Sequence, residues 1–269
     1  MKIQVNGSNL HYEEAGDKAG MPVLFIHGFP FSHEMWKQQM EIVSKKYRAI
    51  AYDIKGHGLS DVGDGQYTIE GHVDDLFALL DHLHLDRVVI VGLSMGGYIT
   101  LRALERNQDR FRAAVLCDTR SEADTPEGKL RRFGGMVEVK KSGSQQFADT
   151  FLKSVFAPAS LTTKPEAVEA IRRIIARTPP LSISGTLLAL AARTDTTGVL
   201  PLIRIPVLIL VGAVDQVTPP AASQAMHERI KDSELQIIPG AAHMSNLENT
   251  EFFNRALLSF LDRVAAGSR

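Results

Sequence analysis

Three residues, Ser94, Asp215 and His243, have the types and settings that nucleophilic acyl chemistry requires. Ser94 is the middle of Gly92-Leu93-Ser94-Met95-Gly96, which follows the apolar run Val88 to Val91 and precedes a helix-like segment from Tyr98 to Asn107. A Gly-x-Ser-x-Gly turn between a buried strand and a helix reads as a nucleophile elbow. Its middle residue is forced into strained backbone, and its flanking positions have no room for side chains. The hydroxyl is thereby pushed out at the C-terminal edge of the sheet, where a base can reach it. A serine needs that base, and the base needs a partner that fixes its tautomer and stabilises its charged form. Asp215 ends Val211-Gly212-Ala213-Val214-Asp215 after an apolar run, and His243 lies in Pro239-Gly240-Ala241-Ala242-His243 after the last such run. Both are expected on the same sheet edge, where open α/β sheets build their sites. Plainer roles exist, a helix cap for the aspartate and a surface position for the histidine. The order Ser94, Asp215, His243 and the agreement of all three settings favour a triad.

The oxyanion of an acyl-transfer intermediate needs two backbone donors. One expected donor is the N–H of Met95, directly after Ser94. The other is the N–H of Phe29 in His27-Gly28-Phe29-Pro30, because Pro30 has none. His27 is expected to hold this loop through backbone hydrogen bonds rather than to act as a second base. Asp118, which ends the run Ala113 to Cys117, is the rival acid, and Asp215 is preferred on its local sequence. Asp53 and Gly56-His57-Gly58 read as scaffold, Cys117 as a small buried hydrophobe, and Trp36 as packing. Arg120, Arg131 and Arg132 are solvated unless they border a carboxylate-binding pocket.

The elements that must position these groups follow from apolar patterning. Lys2 to Val5 and Leu10 to Glu14 read as strands joined at Asn6-Gly7, a tight-hairpin signal. Continuous apolar runs at Val23–Ile26, Tyr47–Tyr52, Val88–Val91 and Ala113–Cys117 mark strands covered on both faces. Helical periodicity lies between them, as in Thr68 to Leu83. The expected fold is therefore α/β, a mostly parallel doubly wound sheet. The alternation stops at Asp118 and resumes at Ile205. The interval holds helical stretches at Ser144–Phe156, Lys164–Ala176 and Leu181–Ala192, punctuated by Gly134-Gly135 and Pro179-Pro180. Residues 1–118 and 199–269 are expected to form the core, and 119–198 a helical insertion after the sixth strand. Its apolar stripes (Phe147, Phe151 and Phe156; Leu187, Leu188 and Leu190) need a surface to bury against.

With these motifs in order, the chain resembles the α/β-hydrolase superfamily. The matching residues are His27-Gly28-Phe29-Pro30, Asp53 to Ser60, Gly92 to Gly96, Gly212 to Asp215, and Gly240 to His243. It is similar to the esterase, enol-lactonase and carbon–carbon hydrolase group, a resemblance that implies a helical cap. The His-Gly-Phe-Pro loop also resembles epoxide hydrolases and haloalkane dehalogenases. Those carry an aspartate at the elbow, so Ser94 argues against both activities. The resemblance implies a serine hydrolase acting on a small to medium carboxylic ester or lactone, with no metal or organic cofactor. The same triad can support carbon–carbon hydrolysis or perhydrolysis, and the fold can also serve as a non-catalytic ligand receptor. The 269 residues carry 44% hydrophobic and 23% charged side chains with a net charge of −1, which gives no basic surface for nucleic acid. No run is long enough to span a bilayer, and Met1 to Ser8 lacks a signal-peptide core. The single Cys117 excludes an internal disulfide, and a cytoplasmic location is expected. Oligomeric state is left open by composition.

Overall fold

The computed structural model describes residues 1–267; residues 268 and 269, part of the expected core span, lie outside the described residues. The chain opens with a hairpin, β1 (Lys2–Val5) and β2 (Ser8–Ala15). Its turn places Asn6 at φ 47° and Gly7 at φ 76°. Two successive positive φ angles match the right-handed twist of the strands, which is why Asn-Gly serves here. β3 (Pro22–Ile26), α1 (Lys37–Val43), β4 (Arg48–Tyr52), α2 (Ile69–His82), β5 (Val88–Leu93), α3 (Met95–Asn107) and β6 (Phe111–Cys117) then alternate. Four helices follow without a strand: α4 (Pro126–Val155), α5 (Ser160–Thr163), α6 (Pro165–Arg177) and α7 (Pro180–Ala192). The chain closes with β7 (Val207–Gly212), α8 (Pro220–His227), β8 (Ser233–Ile238), α9 (Ser245–Glu248) and α10 (Thr250–Ala265).

The eight strands form one sheet in the order β1-β2-β4-β3-β5-β6-β7-β8. Only the two hairpin strands run antiparallel to their neighbours; β4 through β8 pair in parallel. Every residue of β5 and β7 is buried, as continuous apolar runs require when helices cover both faces. After β3 the chain steps outward to β4, then crosses back to β5 on the other side of β3. That reversal opens a crevice at the C-terminal ends of β3 and β5. The loop after Ile26 and the turn after Leu93 both leave the sheet there, with Ile26 in register with Gly92.

The helical interval departs from expectation in two places. Gly134 and Gly135 do not interrupt a helix but lie within α4, and the break falls at Gly143, with φ 77°. A Cβ at Gly135 would come within 3.2 Å of Leu187, so its absence lets α4 approach α7 closely. In the second departure, Leu188 is exposed whereas Phe147, Phe156, Leu187 and Leu190 are buried. Adjacent helical positions point about 100° apart, so Leu187 and Leu188 cannot share one packing surface. Among the described residues, no single helix is long and apolar enough to cross a membrane.

Candidate active site

Ser94 occupies φ 53° and ψ −111°, a backbone conformation that side chains other than glycine rarely adopt. The surroundings over-determine it. A Cβ on Gly92 would lie 2.3 Å from the carbonyl oxygen of Gly96, and one on Gly96 would lie 2.3 Å from that of Ile26. Both glycines are therefore demanded by close backbone approach, and the turn cannot relax outward. The Ser94 N–H donates to the Cys117 carbonyl at 2.9 Å, while the Ser94 carbonyl accepts from Thr119 Oγ1 at 2.8 Å. The residue is thus pinned from β6 while its side chain stands at the N-terminus of α3.

Asp215 and His243 come together at the ends of β7 and β8. His243 Nδ1 lies 2.8 Å from Asp215 Oδ2. Asp215 also accepts from the Val217 N–H at 2.7 Å, the Thr218 N–H at 3.0 Å and Thr218 Oγ1 at 2.7 Å. Burial alone would raise the pKa of this carboxyl, but the charge and hydrogen bond of His243 and the Thr218 donors outweigh it and hold the pKa below the ordinary value. An ionised, fully bonded carboxylate at Nδ1 directs Nε2 of the ring towards the opposite side. Ser94 and His243 share no hydrogen bond in this conformation; such contacts are often long before substrate binds. Both residues are nearly enclosed, Ser94 being 8% and His243 2% exposed.

The loop carrying His243 is fastened from three directions. Gly212 permits β7 to lie directly beneath it, since a Cβ there would sit 2.0 Å from the Ala242 carbonyl oxygen. Glu248 accepts from the Ala242 N–H and the Ala157 N–H, both at 2.8 Å, tying the loop to the segment after α4. Asp118 accepts from the Gly212 N–H at 2.9 Å and from the Ser245 hydroxyl. His243 pairs with Asp215 and not with Asp118. Burial and the charge of Asp215 push the Asp118 carboxyl well above its ordinary range. Through these bonds Asp118 links β6, β7 and the histidine loop.

At the end of β3, His27 Nε2 accepts from the Ile54 N–H at 3.0 Å and Nδ1 lies 2.8 Å from the Gly28 carbonyl oxygen. The imidazole staples the loop to the β4 end, as anticipated. Burial pushes His27 down to about 4 and His72 down to about 3, and it takes His57 well below the ordinary histidine value. All three are neutral scaffolding. Asp53 is buried and accepts from the Leu59 N–H at 2.8 Å and the His33 N–H at 2.7 Å, which also makes it scaffold. Among the described residues, neither the Phe29 nor the Met95 N–H is paired with a protein acceptor. Two buried and unpaired amides beside a candidate nucleophile are what an oxyanion would use.

The first helix between β6 and β7 touches the loop that carries Phe29. Phe29 meets Phe151 and Phe147 edge-on, with ring centroids 5.8 Å and 6.3 Å apart. Arg193, after α7, lies over the Tyr98 ring at 4.2 Å and pairs with Asp124 at 2.7 Å. Neither Arg193 nor Glu248 was visible in the sequence, although both are buried. Of the arginines noted there, Arg132 is committed to Asp124 at 3.0 Å and Arg131 is exposed. Arg120 stands 4.0 Å from Glu122.

Comparison with known proteins bears on this geometry. A family model described as the alpha/beta hydrolase fold matches residues 21–250. The chain is 30% identical over 255 residues to 3-oxoadipate enol-lactonase 2 of Acinetobacter baylyi, covering 94% of this chain and 93% of that protein. It is 32% identical to a putative non-heme chloroperoxidase of Synechocystis sp., covering 94% and 95% respectively. A solved thermophilic esterase from Thermogutta terrifontis superposes with a TM-score of 0.92 at 35% identity, covering 98% of both chains.

Proposed function

The chain belongs to the alpha/beta hydrolase fold family, and from that premise we propose a serine hydrolase that cleaves a small to medium carboxylic ester or lactone through an acyl-enzyme on Ser94. The observation that carries the reading is the strained Ser94 elbow on the same sheet edge as a histidine whose Nδ1 is held 2.8 Å from an ionised aspartate. In this mechanism neutral His243 takes the Ser94 proton as the serine oxygen attacks the carbonyl carbon. Asp215 fixes the tautomer with the proton on Nδ1 and stabilises the imidazolium that forms. The N–H groups of Phe29 and Met95 hold the oxyanion. His243 then protonates the leaving alkoxide, and water attacks the acyl-enzyme with His243 again as base.

Residues 119–198 act as a cap, with residues 1–118 and 199–269 as the core. Phe147 and Phe151 border the loop of Phe29, so the cap limits the acyl group and excludes water. Short acyl chains are preferred as a result. One further reading has support from a relative: the name of the Synechocystis protein points to a peroxide reaction. Hydrogen peroxide in place of water at the acyl-enzyme would release a peracid by the same steps. The test is a side-by-side panel of p-nitrophenyl esters of rising chain length, lactones and ring-cleavage diketones, each with and without peroxide, against wild type and Ser94→Ala. Turnover of short esters or lactones that disappears in Ser94→Ala supports the proposal. Turnover confined to the diketones, or tight binding of esters without turnover, overturns it.

A further inference from the structure

Away from the triad, the structure gathers three side chains with metal-ligating atoms, His11, Glu13 and His33, whose donor atoms all lie within 4.8 Å of one another. His11 and Glu13 are two residues apart on β2, so strand alternation points them to the same face. His33 comes from the other direction, four residues beyond Phe29 on the segment that follows β3. Its Nε2 lies 3.3 Å from Glu13 Oε1, and His11 Nε2 lies 3.9 Å from the same oxygen. Ligands on a tetrahedral zinc, each at about 2.0–2.2 Å from the metal, stand roughly 3.4 Å apart, so the two distances to Glu13 are already near that spacing and the two imidazoles need only a small approach.

Two further observations point to an ion. His11 Nε2 is buried with no hydrogen-bond partner, a lone pair or N–H left unanswered in a protein interior. His33 has its other nitrogen engaged: Nδ1 sits 2.8 Å from Oδ1 of the fully buried Asp53. A carboxylate on one nitrogen of an imidazole fixes the tautomer and orients the other nitrogen outward, the arrangement that typically supports a metal-bound histidine. A groove of about 730 Å3 bordered by Glu13, His33 and Glu34 opens beside the cluster, so the ion and a water ligand can reach it.

We propose that His11, Glu13 and His33 bind a divalent first-row transition-metal ion of the zinc class, with Asp53 orienting His33. Two imidazoles and one carboxylate suit zinc, cobalt or nickel rather than calcium or magnesium, which prefer oxygen ligands throughout. The bound ion ties β2 to the segment leading from Phe29, and so stiffens the loop. The site is independent of the hydrolase reading: it stands whether or not Ser94 is a nucleophile.

The experiment uses untagged full-length protein freed of metal by dialysis against chelator. Cobalt(II) is titrated while visible absorption is recorded, and zinc is titrated by calorimetry in a buffer that does not bind metals. Wild type is expected to bind one equivalent with micromolar affinity, to show the absorption bands of a low-coordinate cobalt site, and to melt at higher temperature with zinc. Glu13→Gln and His11→Gln should each weaken binding at least tenfold and abolish the thermal shift. The Glu13 side chain is 60% exposed, so Glu13→Gln keeps the fold, which circular dichroism checks. Absence of saturable binding would show that His33 and Glu13 form only an ion pair. One-equivalent binding unchanged in both variants would place the ion on other histidines. Either result, or calcium competing equally with zinc, overturns the proposal.

Discussion

Replacing Asp215 and Asp118 separately by asparagine tests the proposal that Asp215 is the triad acid and Asp118 a structural brace. Asp215 accepts four hydrogen bonds, from Val217 N–H, Thr218 N–H, Thr218 Oγ1 and His243. In Asp215→Asn the amide oxygen keeps the two backbone donors on Oδ1, which leaves the amide NH2 facing His243 Nδ1. The imidazole then answers by accepting at Nδ1 and carrying its proton on Nε2, the tautomer that cannot take a proton from serine. The charge that would stabilise the imidazolium is lost as well. Together these should lower kcat by about 10³–10⁴, or roughly 4–5 kcal/mol of barrier. Asp118 is a different case. Burial and the charge of Asp215 already drive it towards its neutral acid form, which asparagine mimics in shape and polarity. The amide can still accept from the Gly212 N–H and donate to Ser245 Oγ, so Asp118→Asn should cost less than about tenfold, under roughly 1.4 kcal/mol. The assay is steady-state hydrolysis of p-nitrophenyl acetate by each variant, with thermal melts to show that both remain folded. A larger loss in a folded Asp118→Asn than in Asp215→Asn would refute the assignment.

Other expectations follow from the same contacts. Gly96→Ala forces a Cβ to within 2.3 Å of the Ile26 carbonyl oxygen and should cost about 1–3 kcal/mol in urea unfolding, with loss of turnover; an unchanged midpoint and rate would show that the elbow is not constrained. His27, His57 and His72 have depressed pKa values, so their burial favours folding of the neutral forms above the unfolded value of 6.5, and that stability is lost as pH falls towards about 4 for His27 and about 3 for His72. At pH 5 His27 alone should remove about 2 kcal/mol relative to pH 7.5, and urea midpoints at the two pH values would show it; equal stability contradicts the burial argument. Phe147→Ala opens space beside Phe29 and Phe151 and should shift ester preference to longer acyl chains; an unchanged chain-length profile would detach the cap from specificity.

The parts of this molecule that depend on local rules were readable from the chain. Val88 to Leu93 is apolar without alternation because helices cover both faces, and Gly92 and Gly96 are glycines because backbone passes within van der Waals range of each. The positions of Asp215 and His243 at strand ends followed from the same patterning, and the structure brings the pair together. What escaped depended on partners distant in sequence. Glu248 bonds the Ala157 N–H 91 residues away, and nothing near it signals a buried carboxylate; the end of the run Ala113–Cys117 marked Asp118, but not its bond to Ser245 127 residues away. Arg193 looks like any charged residue after a helix until Tyr98 and Asp124 are placed around it. The first half of α4 was missed because its apolar residues are sparse, although Thr125, which caps the Gly128 N–H, and Pro126 at the first turn form a readable start signal. Choosing Gly134-Gly135 over Gly143 as the break was a matter of conformation: only Gly143 adopts a positive φ.

The central claim is that Ser94 forms the covalent acyl bond, and the most direct measurement is mass spectrometry after reaction with a p-nitrophenyl phosphonate. The elbow, the free Phe29 and Met95 amides and the Asp215–His243 pair predict one adduct per chain, on the peptide containing Ser94, accumulating in step with loss of ester turnover. The Ser94→Ala protein should take up none and retain only a trace of activity. An adduct on another residue, or full inactivation without modification of Ser94, would contradict the account.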